Sequence, residues 1–308
     1  MTHLVAVTGA NGFLGRLLVP ALLRCGCAVR AVVRDPFKWQ EVAADLGASA
    51  DAVTYAVAEL GDRNALARAF DGSDIILHNA ALANPFKNGW DENYRPNVLG
   101  TENVLHAMAR SGIRRLIYVS SIGAYKLTAR HALGLRLVRE EDPVYSDTGR
   151  PQRNANRVTK ALAEERCRAA AGAGAIDLTI LRTSAMYGPH DPNVTPIMQF
   201  VTSKRVMPVP KLYFPLAFAP DVASAIAEAV VRADSRGRTY NLAGPADVSI
   251  DRFCRTWRDR IQARTRLVPI PLPVRIAFDN TRAMRELDFR HTPLIASLDF
   301  LESDGPSQ

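Results

Sequence analysis

Cysteine is scarce in this sequence, with four among 308 residues, at Cys25, Cys27, Cys167 and Cys254. So few and so scattered, they exclude a disulfide-stapled fold and fit a reducing compartment. Cys25 and Cys27 form a C-x-C pair, but without a second pair or nearby histidines this is a poor zinc site, and no metal is expected. Both read as small apolar residues, one at a helix end and one at a strand start. Long apolar runs are absent as well, because Arg, Asp or Pro interrupts each apolar stretch before it reaches the length of a membrane span. Met1-Thr2-His3 leads straight into Leu4-Val5-Ala6-Val7, with no basic segment followed by an apolar signal core. The expectation is a cytoplasmic protein. Neither internal repeats nor low-complexity tracts occur, which argues against a repeat architecture. With 47% hydrophobic and 23% charged residues the composition is globular, and only a flexible tail at 304–308 has little to bury.

Basic charge is in excess: Lys and Arg number 39 against 31 Asp and Glu, giving a formal charge of +8 and a pI near 9.6. Such a balance suits nucleic acid, an anionic membrane surface or an anionic small molecule. The arginines are spread along the chain and no nucleic-acid-binding motif is present, so no nucleic-acid partner is expected. The densest group, Arg252, Arg255, Arg258, Arg260, Arg264 and Arg266, accompanies Phe253, Trp257 and Ile261 at helical spacing. That pattern predicts an amphipathic helix with a basic, solvated outer face, and it leaves an acidic substrate or partner open.

Short β-branched runs at 4–7, 28–33, 53–57, 74–78, 115–119, 176–181 and 238–242 alternate with helical patterns at 13–24, 37–46, 62–70, 91–111, 155–171 and 219–233. This alternation predicts an α/β fold with a doubly wound parallel sheet, and the nearly continuous apolar strands fit a sheet covered on both faces. After about residue 183 the rhythm loosens. Pro189, Pro192, Pro196, Pro208, Pro210, Pro215 and Pro220 are expected to break up any long regular element there. The domains read as 1–182 plus 217–244 for the sheet, and 183–216 plus 245–303 for a small C-terminal substrate lobe. In such sheets ligands bind outside the carboxyl ends of the strands.

The strongest local signal is Thr8-Gly9-Ala10-Asn11-Gly12-Phe13-Leu14-Gly15, directly after the first strand. Gly9 permits the tight turn, Gly12 lets backbone approach a pyrophosphate, and Gly15 allows close packing of helix on strand. The following helix offers unpaired N–H groups and a positive dipole end to phosphates. Strand, turn and helix together make this a Rossmann-type dinucleotide site. The second strand ends in Val33-Arg34-Asp35-Pro36-Phe37-Lys38. NAD sites place an acid here for the ribose hydroxyls, whereas a 2′-phosphate needs an arginine. Arg34, with Lys38 a turn later, favours NADP(H); the alternative is a surface arginine, with Asp35 taking the acid's place for NAD.

Further motifs follow in order. Glu59-Leu60-Gly61-Asp62 comes after the third strand and His78-Asn79-Ala80-Ala81 after the fourth. Asn97-Val98-Leu99-Gly100-Thr101-Glu102-Asn103-Val104 lies on a helix, and Val119-Ser120-Ser121-Ile122-Gly123-Ala124-Tyr125 ends the fifth strand. Then come Lys160-Ala161-Leu162-Ala163-Glu164, Arg182-Thr183-Ser184-Ala185-Met186-Tyr187-Gly188-Pro189 and Asp221-Val222-Ala223. Over nearly its whole length the chain resembles the extended short-chain dehydrogenase/reductases, the group that holds nucleotide-sugar epimerases, dehydratases and dihydroflavonol-reductase-like enzymes. The resemblance implies that Gly9, Asn11, Gly12, Phe13, Leu14 and Gly15 meet the diphosphate. It also implies that Glu59 and Leu60 contact the adenine, and that Ala80, Ala81 and Val119 line the cofactor groove. Asn97 would hold its helix against the active site, Ser121 would hydrogen-bond the substrate oxygen, and Lys160 would bind the nicotinamide ribose. Ser184 to Met186 would border the carboxamide, and a homodimer through the helices at 91–111 and 155–171 is a further implication.

One departure matters. The family's catalytic tyrosine stands four residues before its lysine, and here that position is Asn156, inside Asn154-Ala155-Asn156-Arg157-Val158-Thr159-Lys160. An amide hydrogen-bonds but does not exchange a proton usefully near neutral pH. Losing such an acid or base costs about 10²- to 10⁴-fold in rate. Three readings stay open. An oxidoreductase of a small-molecule carbonyl or alcohol, with the proton supplied by Lys160, Tyr145, Tyr187 or His190, ranks first. A non-catalytic NAD(P)H-binding protein ranks second. An epimerase or dehydratase, with Asn156 and Ser121 orienting the substrate, ranks third. Leu212-Tyr213-Phe214-Pro215-Leu216 reads equally as an apolar substrate wall or as core.

Overall fold

The computed structural model describes residues 2–82, 89–146 and 155–303. They divide into two compact units, the first comprising Met1–Lys126, Pro143–Arg182 and Ala223–Tyr240, the second Leu127–Asp142, Thr183–Val222 and Asn241–Gln308.

The first unit is built on β1 (Leu4–Thr8), β2 (Ala28–Val33), β3 (Val53–Val57), β4 (Ile75–His78), β5 (Arg115–Ser121) and β6 (Asp177–Thr183). Strands β7 (Ala185–Tyr187), β8 (Val206–Tyr213) and β9 (Leu216–Phe218) intervene before β10 (Thr239–Leu242), which completes the seven-stranded order β10-β6-β5-β4-β1-β2-β3. The pairings of β1 with β2 and β4, of β2 with β3 and of β4 with β5 are all parallel. The order reverses between β1 and β4, and a crevice therefore opens beyond their carboxyl ends.

Local chemistry fixes the helix starts. Helix α1 (Phe13–Arg24) begins at Gly12 with no side-chain cap, α2 (Pro36–Leu46) is capped by Asp35, and α3 (Arg63–Phe70) by Asp62, whose carboxylate accepts from the Asn64 and Ala65 N–H groups. The helical pattern at 91–111 resolves into α4 (Trp90–Tyr94), one wide π turn over Arg95–Leu99, and α5 (Gly100–Arg110). Cys25 and Cys27 fall at the end of α1 and just before β2.

Two short stretches of helix, α6 (Ala129–Ala132) and the longer α7 (Ala155–Gly172), follow β5. Helix α7 is docked by charge as well as by apolar contact. Glu164 is fully buried and takes Arg182 of β6 in a two-pronged pair, Nε to Oε1 at 2.9 Å and Nη2 to Oε2 at 2.6 Å. The Ser120 hydroxyl donates to the same carboxylate at 2.6 Å, and the Arg182 guanidinium lies 4.4 Å over the Tyr125 ring.

The second unit pairs β7 with β9 and β8 with β11 (Arg266–Arg275), both in parallel. Its core gathers Tyr187, Met198, Val209, Phe253, Trp257 and Leu298, drawn partly from α8 (Val194–Thr202) and α10 (Ile250–Arg260). Helix α9 (Ala219–Val231) precedes β10. Three expectations need correction here. Pro208 and Pro210 do not break a regular element but lie inside β8, just as Pro269, Pro271 and Pro273 lie inside β11. In a two-stranded ribbon each strand has an open edge, and prolines two residues apart turn their missing N–H toward that same edge. The basic helix stops at Arg260, so Arg264 and Arg266 are not on it; Arg266 opens β11. Its arginines are largely paired, Arg255 with Asp251, Arg258 with Asp259 and Arg260 with Asp299. Finally, 127–142 and 217–222 group with the second unit instead of the sheet domain. Val138 causes the first of these shifts, its N–H donating to the Ala277 carbonyl at 2.9 Å while its own carbonyl accepts from Asn241 Nδ2.

Removing one member of the Glu164–Arg182 pair strands the other charge in the interior. Glu164→Gln is expected to lower the unfolding free energy in urea by about 3–5 kcal/mol, and adding Arg182→Met should recover much of it. A loss under about 1 kcal/mol would show that the pair is not buried as described.

Candidate active site

At the end of β1 the chain turns at Gly9 with φ of +68°. A Cβ at Gly9 would stand 2.9 Å from the Ala80 Cα, and one at Gly15 would stand 2.2 Å from the Gly9 carbonyl oxygen. Gly15 therefore lets α1 pack against the turn that precedes it. Gly12 is exposed, and Asn11 and Phe13 are half-buried beside it, with Leu14 buried beneath. Because no side chain caps α1, its first N–H groups are available to an anion. This bare-backbone turn, packed too tightly at Gly9 and Gly15 for a Cβ and exposed at Gly12, fits the diphosphate of a dinucleotide.

Beyond β2, Arg34 is exposed and has no ion-pair partner among the described residues. Asp35 beside it is engaged: its Oδ1 accepts from the N–H groups of Phe37 at 3.0 Å and Lys38 at 3.4 Å. The cationic side chains of Arg34 and Lys38 are thus the exposed groups at this strand end. Past β3, Glu59 is exposed and Leu60 half-buried, the Leu60 carbonyl accepting from Asn103 Nδ2 at 2.7 Å.

A buried relay joins the ends of β1 and β4. Thr8 and His78 are register partners, and Thr8 Oγ1 lies 2.8 Å from His78 Nδ1. The same oxygen accepts from the N–H groups of Asn79 and Ala80, at 3.2 and 3.1 Å. With both lone pairs used, Thr8 must give its hydroxyl proton to Nδ1. Nε2 of His78 then carries the ring proton and donates to Thr101 Oγ1 at 3.1 Å, while Thr101 donates onward to the Asn97 carbonyl at 2.6 Å. The ring is neutral, and burial, aided by the charge of Lys160, pulls its pKa down to about 3.

Asn97 sits on the π turn and grips Leu82 by both backbone groups, its Oδ1 accepting from the Leu82 N–H at 2.8 Å and its Nδ2 donating to the Leu82 carbonyl at 3.3 Å. Asn97 Nδ2 also donates to Thr159 Oγ1 at 3.1 Å. Asn156, one turn before Lys160, joins this arrangement: its Nδ2 donates to the Leu82 carbonyl at 2.7 Å and approaches Asn93 Oδ1 at 3.4 Å. Its amide is spent on holding the chain beyond β4. Lys160 is buried and donates from Nζ to the Val119 carbonyl at 2.8 Å, with its ammonium 5.1 Å over the Tyr118 ring. Burial lowers its pKa to about 8, against an opposing pull from Glu164. Ser121 accepts from the Gly123 N–H at 3.0 Å, and Ser120 is bound to Glu164.

The first unit thus brings together Thr8, His78, Thr101, Asn97, Leu82, Asn156 and Lys160. Ser184 and Met186 lie in the second unit, where the Ser184 hydroxyl accepts from the Gly244 N–H at 3.2 Å. Of the other proton donors considered, Tyr187 is a core residue, its hydroxyl bound to Ser297 at 2.6 Å and its pKa pushed up to about 12 by burial. Tyr145 packs on the cluster of Trp90, Val98 and Leu162, and His190 is exposed in the second unit. The Leu212–Leu216 run contributes Leu216 to the second unit's core. Sequence reasoning missed His78 and Thr101 as a relay; the clue was that Thr8 and His78 are the last residues of adjacent strands.

A histidine held neutral makes stability depend on pH. Between about pH 6.5 and 3 the unfolded chain binds a proton at His78 that the folded chain refuses, so stability rises with pH across that window. Urea unfolding from pH 7 down to 4 should show losses approaching about 1 kcal/mol per pH unit from this group. The His78 ring resonances should stay in their neutral position throughout; a midpoint near 6 would refute the relay.

A model described as the NAD dependent epimerase/dehydratase family matches residues 5–243. The chain is 36% identical over 123 residues to a cinnamoyl-CoA reductase 1 of Petunia hybrida, covering 40% of this chain and 36% of that one. It is 32% identical over 192 residues to a 2-alkyl-3-oxoalkanoate reductase of Stenotrophomonas maltophilia, covering 62% and 53%. It therefore aligns with roughly a third to a half of the length of these curated relatives. Among solved structures, the terminal R domain from the myxalamid PKS-NRPS biosynthetic pathway superposes with a TM-score of 0.83 at 22% identity, covering 98% of this chain and 90% of that one. A yeast methylglyoxal/isovaleraldehyde reductase complexed with NADPH does so with a TM-score of 0.82 at 19% identity, covering 97% of each. These two share the fold. The family match takes in the phosphate turn, the relay and Lys160, and the chain belongs to the NAD-dependent epimerase/dehydratase family.

Proposed function

We propose that this protein is an NADP(H)-dependent oxidoreductase of a small-molecule carbonyl or alcohol, in which Lys160 exchanges the proton. The observation that carries this reading is the contrast between two residues one turn apart on α7. Asn156 is committed to the Leu82 carbonyl, while Lys160 is a buried ammonium whose pKa of about 8 suits proton exchange near neutrality. The nicotinamide, when bound, supplies or accepts the hydride. Names of relatives that include reductases agree with the reading.

The chain's own residues take the following parts. The turn from Gly9 to Gly15 holds the diphosphate, with Glu59 and Leu60 at the adenine and Ala80, Ala81 and Val119 along the groove. Arg34 and Lys38 meet the 2′-phosphate, since Asp35 is occupied as a helix cap. Ser121 accepts from the Gly123 N–H and so keeps its own hydroxyl proton for the substrate oxygen. Asn97 positions Thr159 and Leu82, and through them the start of α7. In reduction, Lys160 gives a proton to the oxygen that becomes the alcohol; in oxidation it removes one.

Two experiments test this reading. Arg34→Ala should weaken NADPH binding about 10- to 100-fold in a fluorescence titration, the loss of one charge-assisted contact, while NADH binding stays unchanged. Equal effects on both coenzymes would remove the assignment of Arg34. For catalysis, NADPH oxidation should be followed with a panel of ketones and aldehydes. Reduction needs the protonated ammonium, so kcat/KM should be flat below about pH 8 and fall as pH rises through it. Lys160→Met should cost at least about 10²-fold in kcat. Tight NADPH binding without turnover of any carbonyl would favour a non-catalytic binding protein.

A further inference from the structure

A groove of about 340 Å³ opens on the first unit, lined by Arg168, Arg236 and Arg238 together with Asp177, Leu178 and Ile180. It lies at the amino-terminal ends of β6 and β10. Asp177 bonds the residue just before β5, and Gly237, just before β10, bonds Leu178. The phosphate turn follows the carboxyl end of β1, so the groove stands at the opposite ends of these strands and takes no part in the site described above.

Charge in this groove is out of balance. Asp177, the one carboxylate lining it, is shared with Arg114, 3.9 Å away outside the groove. Arg168 donates to Thr239 Oγ1 at 2.9 Å and stands 3.7 Å from Glu164, whose carboxylate already serves Arg182 and Ser120. Arg236 and Arg238 are exposed, and neither has an ion-pair partner among the described residues. Behind them Arg115 is buried on neutral acceptors, the Asp177 and Ala229 carbonyls and the Thr179 and Ser235 hydroxyls. Its pKa falls to about 10 through burial and, second, through the nearby charge of Arg236, against an opposing pull from Asp177.

We infer that this groove binds a small organic anion, its phosphate or carboxylate head held by Arg236 and Arg238. Guanidinium forks match both oxyanions in geometry. The volume falls in the range of small-molecule sites, and the concave shape favours a compact ligand over an extended acidic segment of another protein.

The test is calorimetry on the full chain, with and without saturating NADPH, using hexyl phosphate, hexanoate and poly-glutamate as probes. Hexyl phosphate or hexanoate should bind whether or not NADPH is present, more weakly as salt rises, and the tighter of the two identifies the head group. The double variant Arg236→Ala/Arg238→Ala should weaken that binding at least tenfold and leave NADPH affinity unchanged. Three results would overturn the inference: no binding of either small anion, equal binding by the variant, or binding of poly-glutamate alone. None of these bears on the phosphate turn, so the site fails or stands separately from the oxidoreductase reading.

Discussion

Much of the site's geometry depends on the polar docking of one helix. Helix α7 turns Thr159, Lys160 and Glu164 into the interior, and each buried polar group finds a partner there. Thr159 receives Asn97, Lys160 reaches the Val119 carbonyl, and Glu164 holds Arg182 and Ser120. Buried groups of this kind contribute little net stability, but leaving any one unpaired is costly, so they act as a register pin. A helix docked only by Ala161, Leu162 and Cys167 could slide or rotate at small cost. With Lys160 matched to a fixed acceptor on β5 and Glu164 to fixed donors on β5 and β6, it cannot, and Lys160 is delivered to one place at the end of β5.

The same reasoning explains how the chain accommodates Asn156. Its amide bonds backward to the Leu82 carbonyl at 2.7 Å and so ties the start of α7 to the chain beyond β4. Leu82 thereby carries three bonds from two asparagines, which anchors the chain where it leaves β4. Asn156 is consequently a structural donor, and it reaches no acid–base role by virtue of position alone. Lys160, one turn away, is both buried and titratable.

Strands β1 to β6 and the glycine turn could be read from the residues, because they rest on local rules: β-branched runs and the need for a missing Cβ. What escaped the reading depends on partners distant in sequence. Nothing in Arg95–Leu99 announces a π turn; it appears because Asn97 must face Leu82 and Thr159 at once. The prolines of β8 and β11 look like breakers until each strand is seen to have an open edge. Tyr187 looked available as an acid, yet Ser297, 110 residues away, claims its hydroxyl. Arg34 and Asp35 left two coenzymes open in the sequence, and the capping bond of Asp35, itself local, is visible only once α2 is known to begin at Pro36.

Lys160 shares this part of the interior with a second buried cation, Arg182, whose charge is matched by Glu164. Glu164, one turn further along α7, favours the ammonium, whereas burial opposes it, and the balance leaves a pKa of about 8. His78 answers the same field in the opposite way. Being buried and within reach of that ammonium, it cannot also take a proton, and its pKa drops to about 3. A neutral ring with Nδ1 accepting from Thr8 has its proton on Nε2, and that proton orients Thr101 and, through it, the Asn97 carbonyl. The ammonium of Lys160 thereby helps to keep the ring neutral, Thr8 sets its tautomer, and Asn97 in turn holds Thr159, the residue just before Lys160 on α7. The buried ammonium thus opposes a second proton at His78, and the neutral ring keeps the Thr101 and Asn97 contacts that hold α7.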